Sequence, residues 1–223
     1  MNPSHPSPDS LVLGIDGGGT KTVAWLASFT GTSLKNEYVV LGKGASGPAN
    51  QRAAGPGTAM NNLDAAVAVA FDAAGLPRQT VTAACLGLAG ADRDSDRQVV
   101  EDWAKMTRLA KSVKVVNDAV PLLNSGQGIG IGVALIAGTG SLAWGRNANG
   151  QTARSGGWGY LFSDEGSAFG IGRAVLNAVS RAVDGRGEQT RLVADVVEHL
   201  MLSSPQDIVA AVYSHDVPRA VVA

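Results

Sequence analysis

The chain has 223 residues, a formal net charge of -1 and a hydrophobic content of 45%. This length suits one large domain or two small ones, and the apolar share is enough for a packed core. Because 18 Lys and Arg nearly balance 19 Asp and Glu, the charge gives no reason to expect nucleic acid or an anionic membrane as a partner.

The chain carries a single cysteine, Cys85, within an apolar run. We expect it to be a buried, inert thiol in a reducing compartment. Since no cluster of Cys and His ligands exists, the sequence does not predict a zinc or iron–sulfur site within one chain. No apolar run approaches the ~20 residues of a membrane span, and the Pro- and Ser-rich residues 1–10 predict a disordered tail. We therefore expect a cytoplasmic protein.

The first predicted element is an apolar strand, residues 11–15, followed by Asp16, three glycines, Thr20 and Lys21. A second apolar run begins at Val23, so the pattern predicts a hairpin with a glycine turn. Successive glycines let backbone N–H groups approach an anion, and a carboxylate at the turn suits hydrated Mg²⁺. The turn is not a P-loop, because it leads into a strand and lacks the P-loop spacing. Two interpretations are left: the turn binds the phosphates of a nucleotide, or it is an ordinary hairpin.

The following segments alternate between strand and helix patterns. The predicted strands are 37–41, 81–88 and 112–116, and the predicted helices are 58–74 and 95–107, with Trp103 as a core residue. Residues 42–57 are rich in glycine and proline and predict a loop. Within this loop, Asn50 suits hydrogen bonds to sugar hydroxyls, or simple turn chemistry. Three antiparallel strands followed by two helix–strand units predict a mixed sheet with helices on both faces.

The second half repeats the opening pattern. Strands are predicted at 131–136 and 142–145, joined by the small-residue turn AGTGS, with a weaker third strand at 151–155. Helices are predicted at 166–183, 190–202 and 205–213. Two such hairpins facing each other would hold a polyphosphate from both sides.

Six motifs in this order resemble the BadF/BadG/BcrA/BcrD ATPase family, and within it the N-acetylglucosamine kinases. They are DGGGTKT at 16–22, GPAN at 47–50, NDA at 117–119, AGTGS at 137–141, GGWGYLFSDEGSAFGIG at 156–172 and DGRG at 184–187. The family belongs to the sugar kinase, Hsp70 and actin superfamily. The resemblance implies duplicated ribonuclease H-like (actin-like ATPase) domains of the α/β class, each with a mixed five-stranded sheet and helices on both faces.

The resemblance also implies roles for individual residues. The ATP-binding set comprises Asp16, Gly17, Gly18, Gly19, Thr20, Lys21, Gly138, Thr139, Gly140 and Ser141, with Asp16 near Mg²⁺. The sugar-binding set comprises Asn50, Asp118, Trp158, Gly159 and Asp164. Asp118 is the implied general base, and a carboxylate after a buried strand suits that role. Taken alone, Asp118 and Asp164 also fit helix caps, and Trp158 also fits simple packing.

The implied activity is ATP-dependent phosphorylation of an amino sugar, N-acetylglucosamine to its 6-phosphate. Glucosamine kinase and an activator-type ATPase are the alternatives. The activators of this family share an iron–sulfur cluster between subunits and need paired cysteines, whereas this chain has one. The expected binding partner is a small hexosamine, and a homodimer is possible. A third alternative is a sugar-sensing or inactive relative.

The predicted domains are an actin-like ATPase domain over 11–120 and a second one over 121–223. The second repeats only the opening strands and helices of the first. We therefore expect it to be truncated, with the adenosine-binding residues missing from the chain and an exposed sheet edge.

Overall fold

The computed structural model describes residues 11–29, 38–125, 130–161, 163–213 and 222. The predicted disordered tail, residues 1–10, lies outside the described residues. Among the described residues, no helix has both the length and the apolar character needed to cross a membrane. The chain divides into two compact units, 1–132 and 133–223.

The first unit is built on a mixed five-stranded sheet, as predicted. Its strands are β1 (Leu11–Gly17), β2 (Thr22–Phe29), β3 (Tyr38–Ser46), β4 (Val81–Leu88) and β5 (Ala110–Asn117), in the order β3-β2-β1-β4-β5. The pairs β1–β2 and β2–β3 are antiparallel, and β4 is parallel to both β1 and β5. Because β1, β4 and β5 are parallel, Gly17, Leu88 and Asn117 form one row at their carboxyl ends.

Four helices accompany this sheet: α1 (Gln51–Ala54), α2 (Pro56–Ala73), α3 (Asp94–Met106) and α4 (Ala119–Leu123). The apolar face of α2 packs on β2 and β3, and α3 packs on β5. Alternate residues of β1 and β4 join these helices in one core, which includes Phe71 and the predicted core residue Trp103. The helix α4 lies on the opposite face, where an added Cβ at Gly87 would be 2.8 Å from Pro121 Cγ.

Among the described residues of the first unit, no helix covers the rest of that opposite face. One cross-strand row there reads Lys43, Trp25, Gly14, Cys85 and Lys114. The Lys43 Nζ lies 4.2 Å from the centre of the Trp25 ring. The prediction that Cys85 is buried is wrong: the thiol is exposed, because Cys85 lies on the face of β4 opposite to its neighbours Ala84 and Leu86, which pack in the core. Partial burial of the Cys85 sulfur still raises the pKa of the thiol, and the positive charge of Lys114 opposes this rise.

Two other boundaries differ from the sequence prediction. The predicted loop 42–57 contains the end of β3 and the short helix α1. The glycines Gly42 and Gly44 extend β3 because their missing side chains let its backbone contact the backbone of α2 directly. The predicted start of β3, Glu37, lies outside the described residues. The unit boundary follows Gly132 instead of residue 120, since α4 packs on β4 and β5.

The second unit has a three-stranded sheet in the order β6-β7-β8. The strands are β6 (Gly132–Ala137), β7 (Ser141–Arg146) and β8 (Thr152–Gly156), so the weak third strand of the prediction is present. Three helices follow: α5 (Ala168–Val183), α6 (Leu192–His199) and α7 (Ile208–Tyr213), the last preceded by a 3-10 turn, Pro205–Asp207. The helix α5 packs against α6.

Candidate active site

The first glycine turn joins β1 to β2. The two strands pair down to Gly17 opposite Thr22, and the Gly18 N–H donates to the Lys21 carbonyl over 2.9 Å. The Thr22 hydroxyl donates to the Gly47 carbonyl over 2.7 Å, which ties the hairpin to the segment that carries Asn50. The predicted strand, glycine turn and strand are therefore confirmed.

Close packing and backbone hydrogen bonds hold Gly17 and Gly18 in this turn. A Cβ at Gly17 would lie 2.5 Å from a Leu88 methyl and 2.9 Å from the Ala49 Cβ, so close packing excludes a side chain there. The Gly17 carbonyl also accepts the Ala89 N–H over 2.8 Å. The Gly18 carbonyl accepts the N–H groups of Ala49 and Asn50 at 3.2 and 3.1 Å. These bonds fix the turn against the two loops that flank it.

Asn50 is the N-cap of α1. Its Oδ1 accepts hydrogen bonds from the N–H groups of Arg52 and Ala53 at 3.0 and 3.4 Å. Part of the turn-chemistry interpretation is therefore correct, because one end of the amide serves the backbone. The loop after β4 lies against the same amide: a Cβ at Gly90 would be 3.3 Å from Asn50 Oδ1 and 3.5 Å from Nδ2. Gly90 has a φ of 84°, a conformation that favours glycine.

Asp118 directly follows β5 and precedes α4. It occupies the N-cap position of α4, as the helix-cap interpretation predicts, but its side chain makes no capping hydrogen bond. The neighbouring Asn117 accepts the Ala119 N–H instead, over 2.9 Å. The Oδ1 of Asp118 is buried and has no hydrogen-bond partner among the described residues. One oxygen of this carboxylate is therefore not used by any hydrogen bond among the described residues.

The surroundings of Asp118 disfavour its charge. Burial is the main cause that raises its pKa to about 6 from the ordinary 3.8, and the carboxylates of Asp16 and Asp92 raise it further. The N–H groups of Asp118 and Ala119 act in the opposite direction. A carboxylate with a pKa slightly below neutral pH is well suited to accept a proton.

Asp92 and Asn117 are site residues that the sequence interpretation missed. The Asn117 Nδ2 donates to the Asp92 Oδ1 over 3.0 Å, which joins the loop after β4 to the end of β5. The signals in the sequence were position, since each residue lies close to the carboxyl end of a parallel strand, and for Asn117 its place in the NDA motif. The structure thus brings together, in the first unit, the glycine turn, Asn50, Asp92 and Asp118 at one end of the sheet.

The second glycine turn joins β6 to β7. The Gly138 N–H donates to the Gly140 carbonyl over 2.9 Å, two residues on, whereas the bond in the first turn reaches three residues on. The Ser141 N–H donates to the Asp164 Oδ1 over 3.2 Å, and the Ser141 hydroxyl donates to the Glu165 carbonyl over 2.8 Å. The turn is therefore held by the segment that precedes α5.

Asp164 is 3% exposed and has a φ of 68°. It does not cap α5, because the Ser167 hydroxyl accepts the Gly170 N–H over 3.0 Å and takes that role. Trp158 is 60% exposed, which rules out simple packing within its unit, and the Arg154 guanidinium lies 5.0 Å from the centre of its ring. Gly159 follows with a φ of 98°. The roles of these residues in sugar binding stay predictions, as does their predicted convergence with Asn50.

The first unit has the features of an α/β phosphate-handling protein: a glycine hairpin beside carboxylates at the carboxyl ends of parallel strands. Residues 13–222 match the BadF/BadG/BcrA/BcrD ATPase family, and the chain belongs to this family. Family membership implies the use of ATP.

Two characterised relatives and one solved structure are similar to most of the chain. The N-acetylmuramic acid/N-acetylglucosamine kinase of Clostridium acetobutylicum is 34% identical over 95% of this chain and 67% of its own length. The N-acetyl-D-glucosamine kinase of Dictyostelium discoideum is 33% identical over 91% of this chain and 64% of its own length. A putative N-acetylglucosamine kinase from Chromobacterium violaceum superposes with a TM-score of 0.76 and 25% identity, covering 97% of this chain and 73% of that one. The chain thus spans about two thirds of the length of these two relatives.

Proposed function

We propose that this chain belongs to a kinase that transfers the γ-phosphoryl group of ATP to the 6-hydroxyl of N-acetylglucosamine. The family match and the names of two relatives above 30% identity support this substrate. The observation that carries the proposal is Asp118, a carboxylate with a buried oxygen that has no partner among the described residues, beside the glycine turn.

In this mechanism Asp118 is the general base. A sugar hydroxyl donates a hydrogen bond to its carboxylate and passes its proton to it as the oxygen attacks the γ-phosphorus. Phosphoryl transfer depends mainly on positioning and charge stabilisation, so one well-placed carboxylate is the main chemical group that the protein supplies to the nucleophile. Since the pKa of Asp118 is about 6, the carboxylate is mostly ionised at neutral pH and still basic enough to take the proton.

Asn50 would position the sugar by donating a hydrogen bond. Its Oδ1 already accepts two backbone N–H groups of α1, so the Nδ2 is the end of the amide that is left for a ligand. A donor at Asn50 and an acceptor at Asp118 would fix two different oxygens of one hexose.

The first glycine turn fits a phosphate group and its metal ion. The Gly19 N–H makes no hydrogen bond within the part of the chain that the structure describes, and a Cβ at Gly18 would meet only the Lys21 carbonyl, at 3.5 Å. Such amides suit phosphate oxygens, and the exposed carboxylate of Asp16 suits Mg²⁺. The bound Mg²⁺ would neutralise charge on the phosphates, while Asp16 and the turn hold the nucleotide in place.

A sugar panel tests the proposal. ADP release is followed with N-acetylglucosamine, glucosamine, N-acetylmuramic acid and no sugar, and the product is examined by ³¹P NMR. We expect turnover that depends on N-acetylglucosamine and yields a 6-phosphate monoester. ATP hydrolysis unaffected by any sugar would instead support the activator-type ATPase, and turnover with glucosamine alone would make this a glucosamine kinase.

A further inference from the structure

Asn117 performs two tasks at the entrance to α4. Its side chain is 7% exposed. The Oδ1 accepts the Ala119 N–H over 2.9 Å, while the Nδ2 donates to Asp92 over 3.0 Å. Because the Asn117 Oδ1 takes the Ala119 N–H, the side chain of the N-cap residue Asp118 makes no capping hydrogen bond and keeps one oxygen without a partner among the described residues.

The Asp92 carboxylate that Asn117 holds is itself on an anchored loop. The Arg97 Nη1 of α3 donates to the main-chain oxygens of Ala91 and Asp92, each over 2.9 Å. Arg97 is further paired with Asp94. The contacts therefore link α3, the loop after β4 and the start of α4. Their meeting point is the Asn117 amide, one residue before Asp118.

We propose that Asn117 is a positioning residue, which together with Asp92 holds the Asp118 carboxylate toward the attacking hydroxyl. Only an amide of this size offers one acceptor for the helix N–H and one donor for a neighbouring carboxylate. Without the donor, Asp92 would lose a buried partner, and the repulsion between the two carboxylates would move Asp92 and Asp118 apart. This inference rests on the proposed function, because it assigns the orientation of its general base.

The decisive variant is Asn117→Asp, which keeps the shape and the capping acceptor but replaces the donor with a negative charge. We expect kcat to fall roughly 10- to 100-fold, since a displacement of about 1 Å costs that much, with a smaller change in the KM for sugar. The carboxylates of Asp16 and Asp92 already raise the pKa of Asp118. A third carboxylate should move the acidic limb of the kcat/KM profile upward by roughly one pH unit.

The double variant Asn117→Asp/Asp92→Asn exchanges donor and acceptor and restores the hydrogen bond and the charge count. We expect it to recover most of the lost kcat and to return the acidic limb toward that of the parent. Asn124→Asp is the matched control: it adds the same charge to the other end of α4, where Nδ2 only donates to the Val120 carbonyl. It should leave both readouts unchanged.

A residue with only a structural role would lower Tm while kcat, measured on the folded variant at a pH above its acidic limb, stayed within about twofold of the parent, and that result would overturn the inference. So would a double variant no more active than Asn117→Asp. Carboxyl ¹³C NMR titration of Asp118 in the same variants needs no turnover. If the parent does not phosphorylate any sugar, the proposed function fails. The Asp118 titration then tests separately whether Asn117 and Asp92 control the surroundings of Asp118, and a titration unmoved in Asn117→Asp would overturn that coupling.

Discussion

Replacing Asp118 with Asn should stabilise the protein while it abolishes most of the activity. Asp118 has a buried oxygen without a partner among the described residues and a pKa of about 6 instead of 3.8. Since the pKa is raised on folding, the folded state binds this proton more tightly than the unfolded state. Stability is therefore lost as the pH rises from about 4 to about 6, and the loss persists above that range.

The size of this effect follows from the pKa. A difference of about two pH units corresponds to at most about 3 kcal/mol, since each unit is worth 1.36 kcal/mol. Asp118→Asn removes the charge, so its Tm at pH 7.5 should exceed that of the parent by up to roughly 10 °C. At pH 4 the two proteins should unfold at similar temperatures. The kcat should fall roughly 100-fold or more, because the base is lost.

Thermal unfolding of both proteins at pH 4 and 7.5 measures this. Glu188→Gln is the control, because Glu188 is an exposed carboxylate in a loop, and its removal should change the free energy of unfolding by less than about 0.5 kcal/mol at either pH. The reasoning is refuted if Asp118→Asn is no more stable at pH 7.5, or if it gains as much at pH 4 as at pH 7.5.

Three further substitutions test other parts of the structure. Gly87→Ala places a Cβ 2.8 Å from Pro121 Cγ, so α4 must shift by about 0.6 Å. We expect kcat to fall roughly 10-fold in a kinetic assay and the free energy of unfolding to fall by about 2 kcal/mol in a melting assay. Gly44→Ala meets the backbone of α2 and should cost about 3 kcal/mol in denaturant unfolding. Gly14→Ala, with no atom within 4 Å of the new Cβ, is the control for both, and an equal loss there would contradict the packing argument. Asp164→Ala should cost about 2 kcal/mol, since it removes a buried acceptor, and an unchanged Tm would argue against that hydrogen bond.

The sequence predicted the sheet well because its signals were local. The apolar alternation of β1 and β4 and the amphipathic spacing of α2 and α3 are properties of single segments, and all four elements were placed within about two residues. The general-base candidate was also predictable, since a carboxylate directly after a buried strand is visible in the chain. The glycine turns were predictable because three small residues between apolar runs leave few other structures.

The differences from the prediction arise from tertiary contacts. Nothing local indicated that Gly42 and Gly44 extend β3 along the backbone of α2. The exposure of Cys85 depends on which face of the sheet the helices cover, and an apolar run does not specify this. The hydrogen bond between Asp92 and Asn117 joins residues 25 positions apart, so neither segment indicated that these two side chains are partners.

The uncovered face of the first sheet offers an optical experiment. Trp25 and Cys85 flank Gly14 in one cross-strand row, so their backbones lie about 10 Å apart at the usual strand spacing. Cys85 is the only cysteine in the chain, and a quencher attached to its thiol would reach the Trp25 indole without any engineered site. Such a label would turn this face into a fluorescent reporter of whatever binds it. A ligand or helix that covers the row would shield the thiol from the reagent and change the colour of the tryptophan emission.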